Sequence, residues 1–207
     1  MEKPELEVVV FSDYICPFCY IGDRRLARLA EHFDLKVDHR YLEIHPDTPP
    51  EGMPLSELGY APDQWDRMMA HLSRMADEEN IPLAEREFTA NSHRALLLAE
   101  ATKEEGAEVF GALNERLFAA FFTEGRNIGD EAVLRSLADE AGVSPGTVDR
   151  AWSEPAYEKS LGANRAIAAH LGITGVPTYL IGNRILVGAV PKKMLLEAAQ
   201  EASPSTS

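Results

Sequence analysis

Two cysteines are all that the 207-residue sequence contains. This scarcity excludes a secreted scaffold held together by several disulfides, and it excludes any zinc or iron–sulfur site with four cysteine ligands. The chain is long enough to bury a hydrophobic core, so its folding requires neither cross-links nor a structural metal. The two thiols are therefore candidates for chemistry rather than for stability.

Basic residues are also scarce. The sequence has 20 lysines and arginines against 34 aspartates and glutamates, which gives a formal net charge of −14. Such a charge repels phosphate backbones, so we predict that nucleic acid is not a partner. An excess of carboxylates is typical both of a surface that confers solubility and of adaptation to high salt, and the composition does not separate the two.

Long apolar runs are missing as well. No segment reaches the roughly 18 apolar residues of a transmembrane helix, and the N-terminus lacks the basic region and apolar stretch of a secretory signal. We therefore predict no membrane partner and a cytoplasmic location. Thiols are normally kept reduced there, so a cysteine pair is more often catalytic or metal-binding than structural.

The N-terminal segment has the pattern of a strand–helix–strand unit. Residues 6–11 form a short apolar, β-branched run typical of a buried central strand, and residues 35–44 alternate as a second strand. Residues 16–33 between them follow a helical pattern. The short connections predict parallel pairing of the two strands through a right-handed crossover.

A block without strand pattern follows this unit. Residues 46–62 are rich in proline and glycine, which predicts a loop. Asp130 and Ser144 are predicted to cap two of the helices downstream of the loop. The predicted helices cover residues 63–79, 91–105, 107–122, 130–141, 144–152 and 155–171.

Strand pattern returns near the C-terminus. Residues 178–181 and 184–187 are predicted to form a β-hairpin joined by a two-residue turn. A final amphipathic helix is predicted over residues 191–202, and residues 203–207 are predicted to be a frayed tail. The chain thus has an α/β pattern at both ends and a helical block between them.

The two cysteines lie in the sequence Cys16-Pro17-Phe18-Cys19, where the first predicted strand ends and the helix begins. Residues three apart share a helix face, which places the two sulfurs within the separation that a disulfide accepts. Free N–H groups and the positive end of the helix dipole stabilise a thiolate at Cys16, so Cys16 is the predicted nucleophile. Pro17 suits the first turn, and Cys19, one turn further in, is predicted to resolve a mixed disulfide.

Three other roles for the cysteine pair stay open at this point: a buried structural pair, half of a zinc site and a peroxide-sensing switch. A zinc site needs two further ligands, and His32, His39 and His45 have no partner among themselves at helical spacing. Thiol–disulfide exchange is the role that the position at a helix N-terminus favours. The sequence predicts no metal and no other cofactor, and it has no glycine-rich phosphate loop.

Residues 12–22 (Ser-Asp-Tyr-Ile-Cys-Pro-Phe-Cys-Tyr-Ile-Gly) resemble the active-site segment of the DsbA family within the thioredoxin superfamily, most of all its cytoplasmic, FrnE-like branch. Residues 175–179 (Gly-Val-Pro-Thr-Tyr) resemble the family's loop in which a cis-proline precedes a strand. Residues 120–128 and 187–191 are similar to two further family segments. Together with the order of the elements, the resemblance covers nearly the whole chain.

The resemblance implies an α/β fold of the thioredoxin-like type with a large helical insertion. Residues 1–48 and 172–207 would form the thioredoxin-like subdomain, and residues 49–171 the inserted helical subdomain. The resemblance also implies that a cis peptide bond before Pro177 presents the backbone of Val176. An extended substrate would pair there as an added strand, close to Cys16.

The chain departs from the best-known pattern of the family in two respects. Phe18 stands where periplasmic oxidants of the family have a histidine whose charge favours the thiolate. We therefore expect Pro17 and Phe18 to set the reduction potential of the Cys16–Cys19 couple in the range of ~−180 to −270 mV, which is typical of isomerases and thioredoxin. Val10 occupies the position of the family's buried acidic residue. Asp13 is the nearest carboxylate, and it is a candidate either for relaying a proton to Cys19 or for capping the helix.

Four further features have less specific interpretations. The pair Arg24–Arg25 is most simply a solvated helix face, and secondarily a site that steers anionic glutathione. His93 is a surface or capping residue or, less simply, a ligand or an acid–base group. Trp65 is predicted to lie in the core. An apolar helical stripe is interpreted as core or as one wall of a peptide-binding groove. It comprises Met68, Met69, His71, Leu72 and Met75.

These observations predict an enzyme, a thiol–disulfide oxidoreductase of the reductase or isomerase type. Its partners would be thiols and disulfides of proteins or small molecules, glutathione included. Two alternatives remain. Glutathione-dependent isomerases and transferases of the 2-hydroxychromene-2-carboxylate isomerase or kappa type have a similar fold, but they usually have serine in place of the first cysteine. A non-enzymatic, peptide-binding chaperone would use the groove alone.

Overall fold

A computed structural model describes residues 3–203 of the chain. Its main sheet has four strands, β1 (Glu5–Ser12), β2 (Asp34–Tyr41), β5 (Thr178–Ile181) and β6 (Arg184–Val187). Their order in the sheet is β2-β1-β5-β6. Strand β1 pairs in parallel with β2 and antiparallel with β5, and β5 forms an antiparallel hairpin with β6.

The strand–helix–strand unit at the N-terminus is confirmed, with a first strand that is longer than the sequence predicts and a helix and second strand that are shorter. The helix after β1 is α1 (Pro17–Ala27), and it continues only as a 3₁₀ turn over Arg28–Glu31. The second strand ends at Tyr41, before the predicted end at residue 44. The Leu42 amide still donates to the Ser12 carbonyl at 3.0 Å, so the chain stays beside β1 for one residue more.

The helical block between β2 and β5 is also confirmed. Asp130 caps its helix by accepting from the amides of Ala132 and Val133, and Ser144 caps the next by accepting from Thr147. The final helix, α8, covers Lys192–Ala202. The intervening helices are α2 (Pro62–Glu79), α3 (His93–Thr102), α4 (Ala107–Phe122), α5 (Glu131–Glu140), α6 (Pro145–Ser153) and α7 (Pro155–His170).

Two short strands interrupt the regions where the sequence predicts only loop and helix. They are β3 (Met53–Pro54) and β4 (Phe88–Thr89), which pair antiparallel. Strands of two residues are too short to show an alternating pattern, which is why the sequence does not predict them. The tail predicted over residues 203–207 lies, apart from Ser203, outside the described residues.

Buried side chains form two hydrophobic clusters. The smaller one lies between the sheet and α8, with Val8, Leu26 and Leu195 among its members. The larger one fills the helical block around Phe118 and includes Cys19. Because α1 contributes to both clusters, the helix that bears the cysteines is packed from two sides. The division of the chain into subdomains at residues 48 and 172 stays a prediction.

Arg25 corrects the expectation of a solvated arginine pair. Arg24 is partly exposed, but Arg25 is only 3% exposed. The Arg25 guanidinium bonds to Glu79 at 2.8 Å and Glu78 at 2.7 Å, and it donates to the Ala189 carbonyl at 2.8 Å. These bonds fix α1 to the end of α2 and to the segment after β6. The partners lie far away in sequence, so no local pattern predicts them.

No helix within residues 3–203 is both long enough and apolar enough to cross a bilayer.

Candidate active site

Cys16 lies at the start of α1. Its backbone is extended (φ −88°, ψ 113°), and its carbonyl accepts the first bonds of the helix, from Cys19 at 3.0 Å and Tyr20 at 3.3 Å. No acidic residue occupies the first turn, so no carboxylate competes for the helix N-terminus. Pro17 is the first helical residue, as predicted from its missing N–H. Both cysteines are free thiols.

The structure brings together the two segments that the sequence singles out. The Cys16 Sγ lies 3.7 Å from the carbonyl oxygen of Val176. The peptide bond between Val176 and Pro177 is cis. The Pro177 carbonyl accepts from Gly188 at 2.8 Å, which ties the loop to the end of β6. Val176 itself is half-buried, and β5 begins at Thr178.

The two thiols differ in their surroundings. Cys16 is 5% exposed, whereas Cys19 is 1% exposed. Burial raises the pKa of Cys19 well above its ordinary value, and the neighbouring Cys16 thiol raises it further. The Asp13 amide and the Ser12 hydroxyl counteract this increase only in part. At neutral pH the Cys19 sulfur therefore holds its proton.

Asp13 is fully buried between β1 and α1. Its carboxylate accepts from the amide of Ile15 at 3.3 Å and from that of Ile44 at 2.8 Å. Burial raises the pKa of Asp13 to about 6, while these hydrogen bonds act in the opposite direction. The capping interpretation is wrong, because Cys16 is the N-cap and no side chain caps α1. The carboxylate instead binds the segment after β2 to the loop before the cysteines.

A cavity of about 630 Å³ opens beside Cys16. Phe18 lines it, and the Phe18 ring lies 6.0 Å from the ring of His71 on α2. Trp65 also lines the cavity, which corrects its assignment to the core. The methionine stripe is divided between the core and the cavity. Leu72 and Met75 are both buried in the core, and Leu72 also lines the cavity. Met68 and Met69 are half-buried and line the cavity.

Tyr179 and Gly22 form a close contact beside the cysteine segment that the sequence does not reveal. The Tyr179 hydroxyl is buried and has no hydrogen-bond partner within the described residues. A Cβ added at Gly22 would overlap this hydroxyl oxygen and would lie 3.2 Å from Pro177 Cγ. Glycine at this position therefore lets the helix of the cysteines pack directly on the strand that follows the cis-proline.

His93 does not line the cavity beside Cys16. Its ring nitrogens lie 2.9 Å from Glu43 and 2.7 Å from Glu158. The hydrogen bond with Glu43, followed by the one with Glu158, raises the pKa of His93 to about 9, although partial burial opposes the shift. Within residues 3–203 there is no group of three or more histidine, cysteine or acidic side chains that could hold a metal ion.

The sheet order and the cysteine pair at the start of the helix after β1 define a protein of thioredoxin-like fold with helices inserted between β2 and β5. The chain belongs to the family of the DSBA-like thioredoxin domain, which matches residues 7–200. The fold and the family that the sequence predicts are thereby confirmed.

Three known proteins illustrate the likeness. The uncharacterized protein YwbO of Bacillus subtilis is 27% identical over 205 residues, which cover 95% of this chain and 96% of YwbO. The crystal structure of the probable DsbA oxidoreductase SCO1869 from Streptomyces coelicolor matches with a TM-score of 0.84 and 25% identity, over 98% of this chain and 92% of that one. The cytosolic disulfide reductase DsbM from Pseudomonas aeruginosa, in a structure with GSH, has a TM-score of 0.68 and 22% identity, with 96% of each chain covered.

Proposed function

We propose that the protein is a thiol–disulfide oxidoreductase that reduces or isomerises disulfides through Cys16 and Cys19. The observation that supports this most directly is the asymmetry of the pair. Cys16 Sγ lies at a helix N-terminus, beside an open cavity and 3.7 Å from the Val176 carbonyl, whereas Cys19 is enclosed. One sulfur is thus placed to meet a substrate, and the other to meet only its neighbour.

The first step is attack of the Cys16 thiolate on one sulfur of a substrate disulfide. The substrate S–S bond breaks, one substrate thiolate leaves, and a mixed disulfide joins Cys16 to the remaining substrate sulfur. The Cys19 thiolate then attacks Cys16 Sγ and releases the second substrate thiolate. The substrate gains two electrons and the protein loses two in forming the Cys16–Cys19 disulfide. A dithiol reductant returns the protein to its starting state.

Val176 and Pro177 would align the substrate. The Val176 carbonyl faces the attacking sulfur, and β5 continues from this loop as a strand of the sheet. An extended peptide that pairs with the backbone of Val176 would place its own sulfur next to Cys16.

Asp13 would accept the proton of Cys19 before the second step. The Asp13 amide lies against the Cys19 sulfur, and the buried carboxylate has a pKa of about 6. An acceptor with this pKa is ionised at neutral pH but is more basic than an ordinary aspartate, as a general base requires.

We propose that the reaction runs towards disulfide reduction or reshuffling. Phe18 supplies no positive charge between the cysteines, so the reduced form gains less stability than in a couple with histidine there. The cytoplasmic location predicted from the sequence agrees with this direction.

Reduction of insulin disulfides in the presence of dithiothreitol tests the proposal. Wild type should accelerate the reaction, Cys16→Ser should be inactive, and Cys19→Ser should accumulate a mixed disulfide that mass spectrometry identifies. Equal activity of wild type and Cys16→Ser would refute the exchange mechanism. Glutathione conjugation or isomerisation without disulfide reduction would instead favour a glutathione-dependent isomerase or transferase. Suppression of aggregation by both proteins alike, without reduction, would favour a chaperone.

A further inference from the structure

Arg86 differs from the other arginines of the chain. Of the 14 arginines, 12 have a carboxylate oxygen within 4.0 Å, and within residues 3–203 only Arg74 and Arg86 lack one. Arg74 is exposed on α2, where it contacts His71. Arg86 lies in the segment between α2 and β4 and is half-buried. The Arg86 guanidinium therefore has neither a carboxylate partner among the described residues nor full contact with water.

The surroundings of the Arg86 guanidinium are mostly apolar. It lies 4.2 Å from the ring centre of Phe121 and 4.7 Å from that of Phe122, and it donates to the Phe88 carbonyl at 3.2 Å. Burial lowers the pKa of Arg86 to about 10, so the side chain is still a cation at neutral pH. A guanidinium has five N–H donors in a planar fork. Since the Arg86 guanidinium donates only to the Phe88 carbonyl among the described residues, its other N–H groups are available to an anion.

This cation lines the same cavity of about 630 Å³ as Cys16, Phe18 and Val176. A cavity of that size and of mainly apolar lining is suited to a small molecule. Besides Cys16 and Arg86, three titratable side chains line it, those of His45, Tyr60 and Glu85. Burial lowers the pKa of His45, which favours its neutral form, and Glu85 is exposed and forms no ion pair with Arg86 in the described part of the chain.

We propose that the cavity is a binding site for small disulfides that bear a carboxylate, such as the disulfide of a short cysteine-containing peptide, with Arg86 holding the carboxylate while one sulfur reaches Cys16. This inference rests on the proposed function. A guanidinium and a carboxylate form paired, charge-assisted hydrogen bonds whose strength increases away from bulk water. Arg86 would thereby attract an anionic substrate into a protein whose net charge is −14.

The test compares glutathione disulfide with its fully esterified derivative, which has the same disulfide and peptide skeleton but no free carboxylate. Each is mixed with the pre-reduced protein, and the second-order rate constant for Cys16–Cys19 disulfide formation is measured by acid quenching and mass spectrometry. The variant is Arg86→Met, which keeps an unbranched side chain against Phe121 and Phe122. The matched control is Arg74→Met, which removes the other arginine without a carboxylate partner.

We expect Arg86→Met to lower the rate constant for glutathione disulfide about tenfold to a hundredfold, the effect of removing a charge-assisted contact. Its rate constant for the ester should stay within about twofold of wild type, which also shows that the variant is folded. Arg74→Met should change neither constant. An unchanged constant for glutathione disulfide in Arg86→Met, or an equal loss with both disulfides, would overturn the inference.

A second measurement uses wild type alone and so does not depend on the folding of a variant. S-methylglutathione, which has no reactive sulfur, should inhibit oxidation of the protein by bis(2-hydroxyethyl) disulfide, and its diethyl ester should not. Equal inhibition by both compounds would overturn the inference and leave the proposed function standing. A wild-type protein that reacts with none of the disulfides would refute the proposed function itself.

Discussion

Gly22 is the position where a single added methyl group should be most disruptive. It lies in α1, six residues after Cys16, and its Cβ position is already occupied by the hydroxyl oxygen of Tyr179. Tyr179 is fully buried, so its ring has no free space into which to move. The Pro177 ring, 3.2 Å from the same position, blocks a shift of the helix.

Two opposing effects set the size of the change. Alanine favours a helix over glycine by about 1 kcal/mol, whereas inserting a group into a filled core costs ~1–3 kcal/mol. Because the overlapped oxygen is held rigidly, we place the core effect at its upper end. Gly22→Ala should then lose about 2 kcal/mol of stability, or about 4–8 °C in the midpoint of thermal unfolding for a chain of this length.

Thermal unfolding of the reduced protein, followed by circular dichroism, measures this loss. Tyr179→Phe removes the overlapped oxygen, so the double variant Gly22→Ala/Tyr179→Phe should recover most of the stability. Tyr179→Phe alone should be neutral or slightly stabilising, since the buried hydroxyl has no partner among the described residues. A Gly22→Ala variant as stable as wild type, or one that Tyr179→Phe does not rescue, would refute the packing argument.

Three other variants test separate parts of the molecule. Asp13→Asn should slow turnover several-fold without slowing formation of the mixed disulfide. In wild type the rate should rise as the pH passes through about 6, where Asp13 ionises, and the variant should lack this rise. An unchanged pH–rate profile would exclude the proton relay. Phe18→His should raise the reduction potential by about 30 mV or more in titration against glutathione, and a wild-type value near ~−120 mV would contradict our account of Phe18. Because the pKa of His93 is raised in the folded protein, its protonated form stabilises the fold. This stabilisation is complete at a pH below the ordinary histidine pKa, and it is lost as the pH rises through about 9. The unfolding midpoint of His93→Gln should thus lie below that of wild type at pH 6 and approach it by pH 10, and a gap that does not change with pH would reject the ion-pair explanation.

Elements with a local signature could be predicted from the sequence. An apolar, β-branched run marks β1, and a two-residue turn marks the hairpin of β5 and β6. Asp130 and Ser144 mark the starts of two helices, because a cap requires only the first few residues of the helix. The two-residue strands β3 and β4 have no period to detect. Their pairing depends on chain segments that only the tertiary fold brings together.

The candidate site divides in the same way. Cys16 and Cys19 stand out by spacing and by their place before a helix, and a family resemblance connects them to Val176 and Pro177. The buried carboxylate of Asp13 accepts a hydrogen bond from the amide of Ile44, which lies after the next strand along the chain. The contact of Gly22 with Tyr179, the burial of Arg25 and the unpaired charge of Arg86 likewise depend on distant partners. No local pattern could have indicated them.

The recessed position of Cys16, only 5% exposed, has a consequence for the protein's own survival. A recessed sulfur that is reached only through the cavity is accessible to a thin, flexible molecule, but we expect it to be out of reach of the equally recessed sulfur of another copy. Covalent dimers linked through Cys16 should therefore be rare, even in concentrated solution under oxidising conditions. The same recess would protect the proposed nucleophile from self-inactivation and leave Cys19 as the thiol that it meets first.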